Sequence, residues 1–302
     1  MIRDPLAEPP VDDGDIAGWT AALGLPGLVD VHVHFLPDRV MAKVWAFFDR
    51  AAQEYGTDWP VHYRASQDER ITTLRGMGVR CFAPLVYPHK PDMAQWLNSW
   101  VADFAAAVPE AVPTATCYPE HGVDDYLERA LADGARCVKV HVQVGGFDPR
   151  DPVLTPAWGL MAEVGVPVVV HCGHGPYPGL DVFGEVLATH PRLVAVLVHA
   201  GMPDYQAALD LVRRYPRVYL DTTMVGMPFS EASAPLPADW TARLVDMTDR
   251  VVLGTDFPNI PYDYATQLRA IAGWAGADER LGNSFLRAVL HDTPATLLRL
   301  EP

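Results

Sequence analysis

Residues 27 to 34 read GLVDVHVH. Side chains alternate along a strand, so Asp30, His32 and His34 are expected on one face and Val29, Val31 and Val33 on the other. Two imidazoles at i and i+2 can chelate a single ion, and polar groups turned into an interior need such a partner because burying them unpaired costs several kcal/mol. Three further groups of the same chemistry close other apolar runs: His171 in VPVVVHC, His199 in LVAVLVHAG and Asp256 in VVLGTDFP. Neutral imidazole plus carboxylate is the donor set of a catalytic Zn²⁺ or a similar divalent ion. In ARCVKVHVQV, Lys139, His141 and Gln143 share a face opposite Val138, Val140 and Val142, which turns an amine and another imidazole the same way.

The elements that must position these groups are short β-branched runs bounded by Pro or Gly. They span 27 to 34, 79 to 86, 111 to 118, 135 to 144, 166 to 172, 193 to 199, 217 to 223 and 250 to 256. Between them lie stretches with helical periodicity, such as AQWLNSWVADFAAAV, DYLERALADG, PDYQAALDLVRRYP and ADWTARLVDMTD. Such alternation predicts an α/β protein whose parallel sheet is covered by helices, and eight units predict a closed (β/α)8 barrel. An open doubly wound sheet is disfavoured, since no GxGxxG or GxxxxGK[ST] follows a strand. His171, His199 and Asp256 all end strands, so they meet at the carboxyl mouth, where barrel active sites lie. Residues 1 to 20, rich in Pro and Asp, read as an irregular arm, and 21 to 302 as one barrel. The long aromatic excursion 35 to 66 is expected to cover the mouth, and 224 to 236 reads as a loop there.

Other residues fall at the same end. His174 and Tyr177 follow strand five, Tyr87, Tyr118 and Glu120 follow strands two and three, and Asp221 ends strand seven. Of these, His174 and Asp221 join Lys139 and His141 as expected substrate contacts, although Asp221 followed by Thr also suits a turn or a supporting role. Arg64 reaches the site only if the excursion folds over it.

The charge balance narrows the partners. With 23 Lys and Arg against 38 Asp and Glu, the net charge of −15 opposes binding to phosphate backbones and anionic lipid. The expected partner is a small-molecule substrate. No apolar run reaches the roughly 18 residues of a membrane span, and the acidic, Pro-rich start lacks a signal-peptide pattern, so a cytoplasmic location is expected. Cys81, Cys117, Cys137 and Cys172 lie far apart and read as buried reduced thiols.

As a set, DxHxH on strand one, His ending strand five, HAG after strand six and GTDFP at strand eight resemble the amidohydrolase superfamily. The closest likeness is to the amidohydrolase-related branch, which holds metal-dependent hydrolases and decarboxylases of the aminocarboxymuconate-semialdehyde and dihydroxybenzoate type. HFLP, HPRL and the closing NSFLRAVLHDTPATLLRL extend the likeness from about residue 27 to 300. The resemblance implies one divalent metal, Zn²⁺ first and Mn²⁺ second, on His32, His34, His171 and Asp256. His199 then stands beside the ion, and His199 with Asp256 moves the proton of an activated water. Two-metal members of the superfamily carbamylate a strand-four Lys. Lys139 thus has three open roles: carbamate bridge, cation for an anionic substrate, or ion pair with Asp30. The branch also implies a possible homodimer. Hydrolysis of a small ester, lactone or amide is the expected reaction, and decarboxylation of an aromatic or unsaturated acid is the alternative. The strand-end loops HCGHGPYPG, HAGMPDY, DTTMVGMPF and DFPNIPYDY carry no Lys or Arg, which favours a neutral substrate.

Overall fold

In a computed structural model, residues 8–173 and 178–301 are described. All eight expected strands form: β1 Leu28–Val33, β2 Val79–Pro84, β3 Thr114–Thr116, β4 Cys137–His141, β5 Pro167–His171, β6 Val194–Leu197, β7 Val218–Asp221 and β8 Val251–Val252. Every pairing is parallel, β1 with β2 and then β3 through β8 in order. Backbone hydrogen bonds bridge both seams. Phe82 N donates to Glu110 O at 2.9 Å and Val112 N to Phe82 O at 2.8 Å, while Val31 N donates to Leu253 O at 2.9 Å and His34 N to Phe257 O at 2.7 Å. The sheet therefore closes into the (β/α)8 barrel. No helix among the described residues is long and apolar enough to cross a membrane.

Several elements differ from the periodicity. The expected arm is not irregular throughout: a 3-10 turn at Asp13–Asp15 leads into the helix Ile16–Ala22, which buries Ile16 and Trp19 in the core. β4 stops at His141 because the chain turns into the short helix Val142–Gly145, so Gln143 is not on the inward face of a strand. ADWTARLVDMTD splits into the helix Trp240–Leu244 and a 3-10 stretch. The four cysteines are free; Cys117, Cys137 and Cys172 are buried and Cys81 is half-buried.

The most consequential difference lies in β1. Between Asp30 and Val33 its pairing with β2 slips, three steps on β1 matching two on β2 (Asp30 opposite Phe82, Val33 opposite Pro84). One extra residue reverses the alternation. Val29 and Val31 consequently pack with Ala83, Cys137, Val169, Val196 and Val252, a set drawn from six strands that can meet only inside the barrel. Asp30 faces the surrounding helices instead. Its Oδ2 accepts from Thr255 Oγ1 at 2.6 Å and from the Tyr264 hydroxyl at 2.9 Å. After the slip, His32 and His34 turn inward as expected. Asp30 does not, and these two hydroxyl contacts take the place of an ion pair with Lys139, one of the three roles open to that residue.

The excursion folds into the helices Asp38–Phe48 and Ala51–Tyr55. It leans on the segment after β8: Trp45 Nε1 donates to Asn259 Oδ1 at 3.1 Å, Trp59 Nε1 to Asn259 O at 2.6 Å, and His62 N to Ile260 O at 2.9 Å. Arg64 is spent within the excursion, on Asp49 at 2.7 Å and the Trp45 carbonyl at 3.0 Å, and its side chain is exposed.

Gly254, just past β8, is crowded by side chains of and near β1 and β7. A Cβ there would lie 2.7 Å from Thr223 Oγ1, 2.9 Å from His32 Cβ and 3.1 Å from Asp221 Cβ. Gly273, in the helix Tyr264–Ala277, has nothing within 4 Å of such a Cβ. Gly254→Ala is expected to destabilise the fold by about 1 to 3 kcal/mol through overpacking. Gly273→Ala is expected to stabilise it by about 0.5 to 1 kcal/mol through helix propensity. Urea unfolding of the two variants measures both, and equal midpoints would refute the crowding at Gly254.

Candidate active site at the barrel mouth

Each inward imidazole is held by one ring nitrogen, and the partner's chemistry fixes its tautomer. His32 Nδ1 lies 2.7 Å from Asp221 Oδ2, His34 Nδ1 2.9 Å from Leu85 O, and His199 Nδ1 3.1 Å from Thr223 O. Carboxylate and carbonyl oxygens only accept, so these three rings carry hydrogen on Nδ1 and keep the Nε2 lone pair. The lone pairs of His32 and His34 converge. His32 Nε2 is 3.2 Å from His34 Nε2, and Asp256 Oδ1 is 2.8 Å from His34 Nε2 and 3.6 Å from His32 Nε2.

Three electron-rich atoms this close in a buried site repel one another unless a cation joins them. The donor set fits a divalent ion. Ligands about 2.0 to 2.1 Å from a tetrahedral Zn²⁺ lie roughly 3.3 Å apart, which the three distances bracket. Burial pushes the His32 imidazole well below its usual pKa, helped by the nearby charge of Lys139, so the ring stays neutral as a ligand must. For Asp256 burial raises the pKa, but the contact with His34 and the nearness of His199 and Lys139 outweigh it and hold the carboxyl below its ordinary value.

The remaining candidates sit around this triad. Lys139 Nζ is 3.4 Å from His32 Nε2, and it is the one Lys or Arg in contact with these groups among the described residues. Burial lowers its pKa against the pull of Asp221 and Asp256. The His171 ring stacks on His141 with centroids 4.1 Å apart and lies 4.8 Å from the His199 ring, outside the cluster of His32, His34 and Asp256. His199 follows β6 in a left-handed corner, with φ of 56° at His199 and 48° at Ala200, and Asp256 has φ of 66°. Such conformations cost non-glycine residues about 1 to 2 kcal/mol each and persist only where surrounding contacts hold them. His199 N donates to Asp221 Oδ1 at 2.7 Å and Asp256 N to His32 O at 2.8 Å.

Asp221 is fully buried behind His32, its oxygens taken by His32 Nδ1 and by the backbone of His199 and Thr223. That is the supporting geometry rather than a substrate contact. Tyr87 packs edge-on against His34, ring centroids 5.2 Å apart, and is 5.0 Å from His141. Tyr118 donates to Gly145 O and Glu120 accepts from Asp92 N, so both are engaged by loop backbone. His174 and Tyr177 lie outside the described residues.

Three residues were not singled out by the sequence patterns. Tyr262, in the segment after β8, is raised well above its usual pKa by burial and by the charge of Asp256. Thr223 Oγ1 lies 3.2 Å from His32 Nδ1. Arg70 is buried with its guanidinium over the rings of Phe35 and Trp45 at 4.9 and 5.4 Å, bracing the excursion. Thr223 was within reach as the i+2 neighbour of Asp221; Arg70 gives no local signal because its partners are distant in sequence.

A family model described as amidohydrolase matches residues 29–300. The chain belongs to the amidohydrolase family. An uncharacterized TIM-barrel protein from Bordetella bronchiseptica superposes with TM-score 0.65 at 19% identity, covering 90% of this chain and 98% of its own. A 5-carboxyvanillate decarboxylase from Sphingomonas paucimobilis gives 0.63 at 13%, covering 91% of this chain and 100% of its own. A probable 2-pyrone-4,6-dicarboxylic acid hydrolase from Acinetobacter baumannii gives 0.61 at 13%, with the same coverages. No curated protein sequence matches. Family membership supports an enzyme, a hydrolase or a decarboxylase, and the two named structural relatives represent one of each.

Asp221 makes a demand that an amide cannot meet. One oxygen faces the Nδ1–H of His32 and the other faces two backbone N–H groups, whereas Asn has a single acceptor. Asp221→Asn is therefore expected to cost about 1 to 3 kcal/mol in urea unfolding. It is also expected to weaken divalent-metal affinity roughly 10- to 100-fold in chelator competition, as loss of the group that orients a ligand does. Unchanged affinity would dissociate Asp221 from the metal site.

Proposed function

We propose that this protein is a metal-dependent hydrolase of a small neutral ester, lactone or amide. The observation that carries the reading is the convergence of the His32 and His34 Nε2 lone pairs on Asp256 Oδ1 within 3.6 Å. His171, from the strand beside β4 and β6, is the proposed fourth ligand, with Zn²⁺ the first choice of metal and Mn²⁺ the second. When bound, a divalent ion brings a water's pKa to about 7 and polarises the scissile bond.

The chain's own residues then have distinct tasks. His199, with its Nδ1–H anchored on Thr223 O, offers Nε2 to take a proton from the attacking water. Asp256, ionised at neutral pH, accepts and redelivers that proton through its carboxylate. Lys139 and His141 contact the substrate from β4, and Asp221 keeps His32 in its ligand tautomer. Trp45 and Trp59, fastened to Asn259, hold the excursion as a cover that keeps bulk water out. A single cation near the triad suits a neutral substrate better than an aromatic carboxylate, which a decarboxylase must grip.

Elemental analysis of the purified protein is expected to find about one divalent ion per chain, lost in His32→Ala, His34→Ala and His171→Ala. His199→Ala is expected to keep the ion while turnover falls by about 10² to 10⁴. Two ions with added CO₂ mass on Lys139 would replace the single-ion reading by a bridged pair. For the reaction, the metal-loaded enzyme is incubated in H₂¹⁸O with lactones, amides and hydroxybenzoates. Label is expected in a product carboxylate; CO₂ release from the hydroxybenzoates without hydrolysis of any panel member would make the enzyme a decarboxylase.

A further inference from the structure

His141 breaks the pattern of the other fixed imidazoles. It ends β4 and caps the short helix Val142–Gly145, and its Nδ1 receives the backbone N–H of Val144 at 3.2 Å. A backbone N–H can only donate, so Nδ1 must be the bare nitrogen, and a neutral ring then carries its hydrogen on Nε2. His32, His34 and His199 have the opposite arrangement, because their Nδ1 partners are all oxygen acceptors. The site thus presents three imidazole lone pairs and one imidazole N–H.

The His141 ring lies among the side chains of the candidate site. His141 shares the inward face of β4 with Lys139, its ring lies flat on His171 at 4.1 Å and 20°, and the Tyr87 ring is 5.0 Å away, tilted by 54°. The ring is clamped and cannot turn over without giving up the Val144 hydrogen bond. A nitrogen bearing hydrogen cannot bind a metal, so stacking on His171 divides the pair: one ring for the ion, one for something that accepts a hydrogen bond. No protein partner for His141 Nε2 is found among the described residues.

We propose that His141 is a specificity-determining donor whose Nε2–H hydrogen-bonds an acceptor oxygen of the substrate, such as a carbonyl oxygen, and so selects against ligands presenting N–H at that point. The assignment rests on the hydrolase site described above but makes a prediction of its own about the unloaded ring. A site built to hydrogen-bond a substrate group discriminates strongly because the mismatched complex leaves a buried donor unpaired.

The test begins with ¹⁵N-histidine-labelled protein, metal-free and Zn²⁺-loaded, in long-range ¹H–¹⁵N spectra. The signal absent from His141→Phe is expected to show the Nε2–H tautomer in both states, with His32, His34 and His199 showing Nδ1–H. His141→Phe is expected to retain its metal. With δ-valerolactone or whichever lactone, ester or amide of the panel turns over fastest, kcat/KM is expected to fall about 10- to 100-fold in His141→Phe. His141→Gln, which keeps a donor near the Nε2 position, is expected to recover most of it, with the change borne chiefly by KM. An Nδ1–H tautomer at His141, loss of metal in His141→Phe, or equal kcat/KM in wild type and His141→Phe overturns the proposal. If the wild type hydrolyses no panel member, the hydrolase reading fails while the tautomer and metal measurements still decide the role of His141.

Discussion

The grip of one buried carboxylate on three strands governs the site. Asp221 takes the Nδ1–H of His32 from β1 and the backbone N–H groups of His199, beyond β6, and of Thr223, beyond β7. An isolated carboxylate in that interior would be prohibitively costly, and charge-assisted hydrogen bonds of about 1.5 to 3 kcal/mol each are what make it tolerable. The same contacts settle which face of His32 is nucleophilic and hold His199 in a backbone conformation it would otherwise avoid. Gly254 is the steric counterpart. Only a residue without a side chain lets β8 pass this close to Asp221 and His32.

Most of this was legible in the order of residue types. Eight apolar runs, each ending in or near a polar group, predict both the barrel and the end at which His171, His199 and Asp256 collect, because strand direction and side-chain alternation are rigid rules. Where the reading failed, a rule with local exceptions was involved. Asp30 was expected inside with His32 and His34, yet a single extra residue in β1 sends it outward to Thr255 and Tyr264. A bulge leaves no compositional mark, since Val29 and Val31 are equally suited to either face. Gln143 failed for a related reason: β-branched residues continue past His141, but the backbone is already turning to let that ring cap the next helix.

Tautomers form a second layer that residue types alone never reveal. His32 and His141 are the same side chain on inward-facing strand positions, and only the partner at Nδ1, a carboxylate oxygen for one and a backbone N–H for the other, makes the first a lone-pair donor and the second a hydrogen donor. Those partners lie 189 and 3 residues away. The near one could have been anticipated from the helix cap; the distant one required the barrel to close.

Short strands explain why the ligand set is so readable while the reaction is not. β8 spans only Val251–Val252, and Asp256 lies beyond it in left-handed backbone tied to His32 O. The candidate metal-binding groups are therefore carried by strand ends and by hydrogen bonds within the barrel wall. Both reactions use such a candidate metal cluster, so that cluster by itself does not choose between water attack on a neutral acyl group and protonation of a ring carbon. A barrel built this way could exchange one chemistry for the other by changing which cations and donors overhang the same site, and on the reading proposed above Lys139 beside the N–H of His141 belongs to the neutral-substrate end of that range.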